Sequence, residues 1–184
     1  MVDGGAGATY STPTDVLLSP VFLDAVRWVI DEIEGGSKVI KDQGGLTRYG
    51  ISQRAYPGLN IAQLTREEAE KLYLRDYWRP IRGNALPPAI ALVLFDASVN
   101  HGPRQAVKLL QAALKVTQDG VMGPETVGAA KSYHPRSELL VRFLYARDMF
   151  YELIAQRPEH ASSLYGWKCR LWRLALQAGL WKAL

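Results

Sequence analysis

Residues 34–51, EGGSKVIKDQGGLTRYGI, decide the fold predicted for this chain. The stretch begins where an amphipathic helical run ends, and its first diglycine is a favoured signal for the end of a helix. Apolar segments at 39–40 and 46–52 lie on either side of the second diglycine, which predicts a short irregular hairpin. The sequence therefore predicts a helix that is followed directly by a small β element.

Helical patterns dominate the rest of the chain. Ser19-Pro20 supplies a hydroxyl cap and a proline at the first helical position, and apolar residues recur at helical spacing as far as Ile33. Thr65 and Glu68 form a capping box that opens a second helix. Further helices are predicted at about 89–100, 104–116, 124–131, 135–156 and 163–183. The predicted fold class is mainly α.

The composition is that of a globular protein with a mildly basic charge. Hydrophobic residues make up 48% of the 184 residues and charged residues 22%, which is enough for a sizeable core. A formal net charge of +4 attracts polyanions such as nucleic acids, anionic lipids and bacterial cell walls. No RNA-binding, zinc-finger or basic-zipper pattern is present, so we expect no nucleic-acid partner.

Metal and disulfide sites are not expected in this sequence. The single cysteine, Cys169, rules out an intramolecular disulfide, and its place in a helical pattern is typical of a packed residue. The three histidines lie far apart, and none has a metal-binding spacing such as HExxH. We therefore expect no metal and no other cofactor.

The two ends of the chain bear on membrane and secretion signals. Residues 1–15 lack the basic and apolar regions of a secretory signal peptide and are typical of a flexible tail. No apolar run approaches the roughly 20 residues that span a bilayer, so we expect no stable membrane insertion. The C-terminal helix alternates Trp with Lys and Arg, which allows weak contact with anionic surfaces. Its stripe of Leu171, Leu174, Ala175 and Ala178 favours packing in the core.

Two carboxylates in the opening stretch fit the cleavage of a glycosidic bond. Glu34 lies in the last turn of the first helix, where the helix dipole and partial burial both favour the protonated form that a general acid needs. Asp42 follows in a turn, where we expect it to be solvated and ionised. Thr47 can orient Asp42 or a water, and Tyr49 offers a face for a sugar. A helix end and a glycine-rich hairpin with incidental acids explain the same residues, and this alternative stays open.

The same stretch resembles the signature of the phage-type N-acetylmuramidases of glycoside hydrolase family 108. That signature is a helix ending in E-G-G, then an acid, G-G, T, a polar residue and Y-G-I. The matching residues are Glu34-Gly35-Gly36, Asp42, Gly44-Gly45, Thr47 and Tyr49-Gly50-Ile51. The resemblance implies that Glu34 is the catalytic acid and that Asp42 and Thr47 assist it. The interval from Glu34 to Asp42 is shorter by one residue than the signature leads us to expect.

A second stretch resembles the C-terminal peptidoglycan-binding region of the same enzymes. It runs through LFDASVNHGPRQAVKLLQAALKV and QDGVMGPET, and the matching residues are Phe95, Asp96, Val99, Asn100, Gly102, Leu110, Gln111, Asp119-Gly120, Gly123-Pro124 and Thr126. Asp96 and Asn100 lie four apart on one face of an otherwise apolar helix, so this polar pair needs partners. A sugar-binding cleft would supply such partners, and so would a structural network within the protein.

Together the two resemblances imply a lysozyme-like helical fold with a small β-hairpin after the first helix. We expect a flexible tail at 1–18, a muramidase catalytic region at 19–94 and a helical peptidoglycan-binding-like region at 95–184, packed as one monomeric globule. The implied function is an endolysin that hydrolyses the β-1,4 bond between N-acetylmuramic acid and N-acetylglucosamine in peptidoglycan. It would be made in the host cytoplasm without a signal peptide and would act on the cell wall after release.

The expected sugar contacts come from Tyr49, Tyr77, Asn100 and Asp96. Asp31 and Glu32 are alternative acids. Both precede Glu34 on the helix, and their side chains are expected to be solvated or to face the N-terminus. Two alternatives to the hydrolase remain. A lytic transglycosylase would cleave the same bond through the sugar's own hydroxyl, and a non-catalytic wall-binding phage protein would keep the fold without the reaction.

Overall fold

The computed structural model describes residues 18–42 and 45–179. Within them the chain forms seven α-helices and one three-stranded sheet. The helices are α1 (Pro20–Arg27), α2 (Arg66–Tyr73), α3 (Pro88–His101), α4 (Pro103–Leu114), α5 (Pro124–Ser132), α6 (Arg136–Ala155) and α7 (Leu164–Gln177). The strands are β1 (Ile40–Asp42), β2 (Gly45–Arg48) and β3 (Ile51–Ser52). The predicted lysozyme-like, mainly α fold with a small β element after the first helix is confirmed.

The first two helices begin as their sequences predict. The Ser19 hydroxyl accepts a hydrogen bond from the Phe22 N–H at 3.2 Å, and a proline occupies the first turn of α1. At α2 the Thr65 hydroxyl accepts from the Glu68 N–H, and the Glu68 carboxylate accepts from the Thr65 N–H in return. Both caps satisfy N–H groups that a helix leaves without partners, which fixes where each helix starts.

The first helix ends at the diglycine of the opening stretch. After α1 the chain continues as a π-helical segment, Trp28–Ile33, and the Glu34 N–H donates to the Val29 carbonyl across five residues at 3.0 Å. Gly35 and Gly36 follow with φ of 78° and 69°, a left-handed conformation that ends a helix at little cost when the residue is glycine. A π-helical turn is frequent at functional sites, and here it sets the direction in which Glu34 leaves the helix.

The sheet is antiparallel in the order β1-β2-β3, with Ile40 opposite Thr47 and Arg48 opposite Ile51. Tyr49 and Gly50 make the two-residue turn between β2 and β3. Both have positive φ, at 53° and 78°, as a tight turn between twisted strands requires.

Arg48 holds the sheet against its neighbours. Its Nε donates to the Ser37 carbonyl at 3.2 Å and its Nη1 to the Ala62 carbonyl at 2.9 Å. The first contact ties β2 to the loop that follows Glu34. The second ties it to the short helical turn before α2, so the hairpin is held beside the end of the first helix.

Helix α3 is the centre of the molecule. It begins after Pro87 as predicted, and it packs against α1, α4 and α6. The ring of Phe95 lies 6.1 Å from that of Phe22, 5.4 Å from Trp78 and 6.0 Å from Tyr73, centroid to centroid. The helix runs unbroken through residues 94 and 95, and the division of the chain at this point stays a prediction. The break comes at Gly102, because the following proline starts α4 there.

The turn between α4 and α5 folds around a buried glutamine. Gln111 donates through Nε2 to Asp119 Oδ1 at 2.7 Å and to Thr126 Oγ1 at 3.1 Å, and its Oε1 accepts from the Gly120 N–H at 2.9 Å. Gly120 has φ of 75°, and a Cβ there would lie 2.6 Å from Cγ of Arg104. The second resembling stretch thus closes a turn between two helices.

Helix α7 packs on the core through the predicted stripe. Leu171 and Leu174 are buried, and Ala175 and Ala178 are partly buried against the core. Trp172, beside this stripe, is 67% exposed. The last residues of the predicted 163–183 helix lie outside the described residues. No helix in the described part of the chain has both the length and the apolar character to cross a bilayer.

Candidate active site

Glu34 lies between the end of the first helix, the Tyr49-Gly50 turn and α2. Its side chain is 23% exposed. A Cβ added at Gly50 would lie 2.7 Å from Cγ and 3.0 Å from Cδ of Glu34, so the turn backbone touches the carboxyl group directly. The Tyr73 hydroxyl borders the same space and donates to the Tyr49 carbonyl at 2.9 Å. The carboxyl is therefore held in a close-fitting, partly open niche.

Arg170 of α7 contacts Glu34 from a distant part of the chain. Its Nη1 donates to Glu34 Oε1 at 2.9 Å, and its Nε donates to Asp96 Oδ1 at 2.8 Å. The sequence does not point to Arg170, because the partners are 136 positions apart and the local sequence of α7 is that of an ordinary amphipathic helix. Only the tertiary packing of α7, which lies against α6, brings this cation to the carboxyl.

Asp96 does not contact a sugar, which corrects the prediction. Its side chain is 0% exposed, and each of its oxygens accepts a hydrogen bond from an arginine, Oδ1 from Arg170 and Oδ2 from Arg147 at 2.8 Å. Such a carboxylate has no surface for a ligand. The reason is that α3 is covered on this face by α6 and α7, which supply the two guanidinium groups.

Asn100 has a partner within the protein. Its Nδ2 donates to the Tyr151 hydroxyl at 2.6 Å, and that hydroxyl also accepts from Arg147 Nη2 at 3.2 Å. Asp96 and Asn100, four apart on α3, thus face Arg147 and Tyr151, four apart on α6. Of the two explanations for this polar pair, a sugar-binding cleft or a structural network within the protein, the structure shows the network. Asn100 is still partly exposed, and its contact with substrate remains a prediction.

Burial and charge act in opposite directions on Arg170. Burial alone lowers the pKa of this guanidinium, but the carboxylates of Asp96 and Glu34 raise it by more, and the net pKa lies above its ordinary value. Arg170 is therefore a permanent cation. Burial, together with the nearby charge of Glu34, raises the pKa of the Tyr73 phenol well above its usual range. Tyr73 therefore remains a hydrogen-bond donor to the turn at all working pH values.

Thr47 lies in β2 opposite Ile40 and Ser52. Its Oγ1 is buried and finds no hydrogen-bond partner among the residues that the structure describes. Asp42 ends β1 opposite Gly45, and its side chain lies outside the described part of the chain. The assisting roles predicted for Asp42 and Thr47 stay predictions.

The two tyrosines predicted to contact sugars lie near Glu34. Tyr49 is partly buried in the turn, and the Arg48 guanidinium lies 5.2 Å from the centre of its ring. Tyr77 is also partly buried, and its ring centroid lies 5.7 Å from that of Tyr73. Tyr73, which borders Glu34, contacts the Tyr77 ring and the Tyr49 backbone, and the contacts of Tyr49 and Tyr77 with a sugar stay predictions.

The other two acids of the first helix have cationic partners. Arg66 donates to both oxygens of Asp31, at 2.8 and 2.9 Å, and this hydrogen bonding lowers the pKa of Asp31. Glu32 is exposed and lies 3.4 Å from Arg173. Both acids are exposed, as expected, and Asp31 also forms a surface ion pair because α2 places Arg66 across from it.

His101, at the end of α3, is neutral at physiological pH. Burial, reinforced by the charge of Arg147, lowers the pKa of its imidazole to about 3. Its ring packs against Phe150 and Tyr151 at centroid distances of 5.1 and 4.9 Å. The unfolded chain binds a proton here below about pH 6.5 and the folded chain does not, so stability falls as the pH drops from 6.5 towards 3.

His101→Phe should make the protein less sensitive to acid. Between pH 7 and pH 5 the wild type should lose about 2 kcal/mol of unfolding free energy through His101, and the variant should escape that loss. Urea unfolding of both proteins at the two pH values measures the difference. His134→Gln, at an exposed histidine, is the matched control and should behave as wild type. Equal acid losses in all three proteins would contradict the assignment.

Comparison with known proteins places these features in two matched regions. Residues 27–102 match the family described as Glycosyl hydrolase 108, and residues 105–172 match a Predicted Peptidoglycan domain. The two matches meet at the break between α3 and α4. The structure of SagA from Brucella abortus is similar, with a TM-score of 0.72 and 28% sequence identity over 85% of this chain and 92% of that chain. No curated protein matched the sequence.

Proposed function

We propose that this chain is a muramidase, because residues 27–102 match the glycosyl hydrolase 108 family and residues 105–172 match a predicted peptidoglycan domain. It is a glycoside hydrolase, and its second domain supports peptidoglycan as the partner. The bond it cleaves, in this proposal, is the β-1,4 bond between N-acetylmuramic acid and N-acetylglucosamine. The observation that carries the proposal is the partly exposed Glu34 carboxyl in its niche at the end of the first helix.

Glu34 acts as the general acid. Arg170 bonds only Oε1, and none of the described side chains donates a hydrogen bond to Oε2. Oε2 is therefore available to carry the proton and to deliver it to the glycosidic oxygen as the bond breaks. The niche between the Tyr49-Gly50 turn and Tyr73 limits the directions in which this oxygen can point.

Thr47 and Asp42 act on the water. The Thr47 hydroxyl is buried without a partner among the described residues, in the strand next to the one that carries Asp42, and in this proposal it assists Asp42. Asp42, in the adjacent strand, would accept the proton of that water or stabilise the oxocarbenium-like transition state. Water is thus the acceptor of the glycosyl group, which makes the reaction a hydrolysis.

The sugar chain is held by aromatic and amide side chains. Tyr49 and Tyr77 offer partly exposed rings on the Glu34 side, and Asn100 offers a partly exposed amide on α3. Aromatic faces suit the apolar faces of pyranose rings, and an amide suits their hydroxyls.

The biological role in this proposal is that of an endolysin. The resemblance of both stretches to phage-type muramidases supports it. In this role the protein acts on the cell wall after its release from the host cytoplasm as a monomer. Weak attraction to the anionic wall is consistent with the net charge of +4.

Digestion of purified peptidoglycan tests the reaction. We expect mass spectrometry to show muropeptides that end in reducing N-acetylmuramic acid, each heavier by one water than the 1,6-anhydro product of a transglycosylase. Mainly anhydro products would overturn hydrolysis, and reducing N-acetylglucosamine ends would overturn the choice of bond. A wall left intact under all conditions would favour a non-catalytic binding protein. Heat-inactivated protein is the control.

A further inference from the structure

Arg170 joins two carboxylates that belong to different parts of the fold. One nitrogen bonds Glu34 at the end of the first helix, and another bonds Asp96 in the centre of α3. The third, Nη2, is buried and has no hydrogen-bond partner among the described residues. The side chain is only 14% exposed, so the planar guanidinium has little freedom to turn.

Arg170 is bonded to one member of a fully buried ion pair. Asp96 and Arg147 are both 0% exposed and are joined at 2.8 Å. Burying two opposite charges costs desolvation energy, and an apolar pair of similar volume is often as stable. This costly pair does, however, give Asp96 a fixed orientation, and Asp96 in turn fixes Arg170.

We propose that Arg170 is the positioning residue for Glu34 and that the buried Asp96–Arg147 pair holds Arg170 in place for this role. The inference rests on the proposed function of Glu34. Arg170 lies within the residues 105–172 matched as a predicted peptidoglycan domain, and Glu34 within the glycosyl hydrolase match. The second region thus contributes a side chain to the reaction centre of the first.

The contact does two things for the reaction. By bonding Oε1, the guanidinium fixes the rotation of the carboxyl group and leaves Oε2 facing the substrate. Its charge also stabilises the carboxylate that Glu34 becomes once it has given up its proton. A lysine retains the second effect and loses the first, because one ammonium group cannot hold both carboxylates in a fixed plane.

The charges around this contact are balanced. Tyr73 of α2 faces Glu34 and is neutral, and His101 of α3 near Arg170 is also neutral. The carboxyl groups here are those of Glu34 and Asp96, and the cations are Arg147 and Arg170. Loss of Arg170 removes one of the two cations beside the reacting carboxyl group, so the activity of the variant should persist to higher pH.

The test compares pH profiles of purified Arg170→Gln and Arg170→Lys on peptidoglycan glycan strands. For Arg170→Gln we expect kcat to fall about 100-fold with KM changed less than about twofold, and the alkaline limb of the profile to move up by about one pH unit. For Arg170→Lys we expect kcat to fall about tenfold while the alkaline limb stays in place. Arg173→Gln, one turn further on α7 at the exposed Glu32, is the matched control and should keep wild-type values.

Each outcome decides the inference. An active wild type together with an Arg170→Gln variant that keeps its kcat and its alkaline limb would overturn it and leave the proposed function standing. A wild type that releases no product overturns the proposed function instead. Should Arg170→Gln fail to fold in thermal melting, the lysine variant decides. Wild-type kcat, or failure to fold, in Arg170→Lys would show a purely structural arginine.

Discussion

Glu34→Gln should lower the rate of peptidoglycan hydrolysis by about 10³-fold at the pH optimum while the protein stays folded. The amide has the shape of the carboxyl group, and its oxygen can still accept the hydrogen bond from Arg170. It cannot donate an acidic proton to the glycosidic oxygen, so the leaving group departs unassisted. Release of soluble muropeptides measures the rate, and thermal melting checks the fold.

Glu32→Gln is the matched control for this experiment. Glu32 lies two residues earlier on the same helical segment, is 61% exposed and forms its ion pair with Arg173, at 3.4 Å. Its variant should hydrolyse peptidoglycan at the wild-type rate. A Glu34→Gln protein that works within tenfold of wild type would remove Glu34 as the general acid and reopen the choice of catalytic residue.

Gly50→Ala should lower the free energy of unfolding by about 3 kcal/mol. At temperatures low enough for the variant to stay folded, it should also lose most of the wild-type activity. Gly50 has φ of +78°, a conformation in which an alanine is strained. Its methyl group would also overlap the Tyr73 hydroxyl and lie 2.7 Å from Cγ of Glu34. The turn must move away, and the niche around the carboxyl opens. Urea unfolding and muropeptide release measure the two effects.

Two further variants separate strain from contact at this turn. Gly58→Ala, where no heavy atom lies within 4 Å of the added Cβ, should change stability by less than about 0.5 kcal/mol. Gly50→Ala combined with Tyr73→Phe removes one of the two close contacts and should recover part of the lost stability. A Gly50→Ala protein with wild-type stability and activity would show that the turn does not shape the Glu34 niche.

Local signals in the sequence are enough to predict most helix starts. Ser19-Pro20 and the capping box of Thr65 and Glu68 satisfy N–H groups within a few residues of themselves. Because these contacts are short-range, their pattern can be recognised in the sequence without knowledge of the rest of the fold. The Gly35-Gly36 stop is readable for the same reason, and it places Glu34 at the end of the first helix.

Contacts between residues that are far apart in the sequence cannot be predicted from such local patterns. The sequence identifies Asp96 as a polar residue in an apolar helix, but it does not show whether its partner is a sugar or another part of the protein. The structure supplies Arg147 and Arg170, which lie 51 and 74 positions away. No periodicity connects residues at such separations, so the predicted sugar contact of Asp96 could be corrected only by the packing of α6 and α7.

The helical class, the small sheet and the position of Glu34 at a helix end followed by two glycines can all be predicted from local sequence patterns. These follow from hydrogen bonds and backbone preferences that act over a few residues. The tertiary structure alone decided what surrounds Glu34, namely the turn at Gly50, the Tyr73 hydroxyl and the Arg170 guanidinium. Those neighbours come from three separate elements, and only the burial of apolar faces around α3 brings them to one carboxyl group.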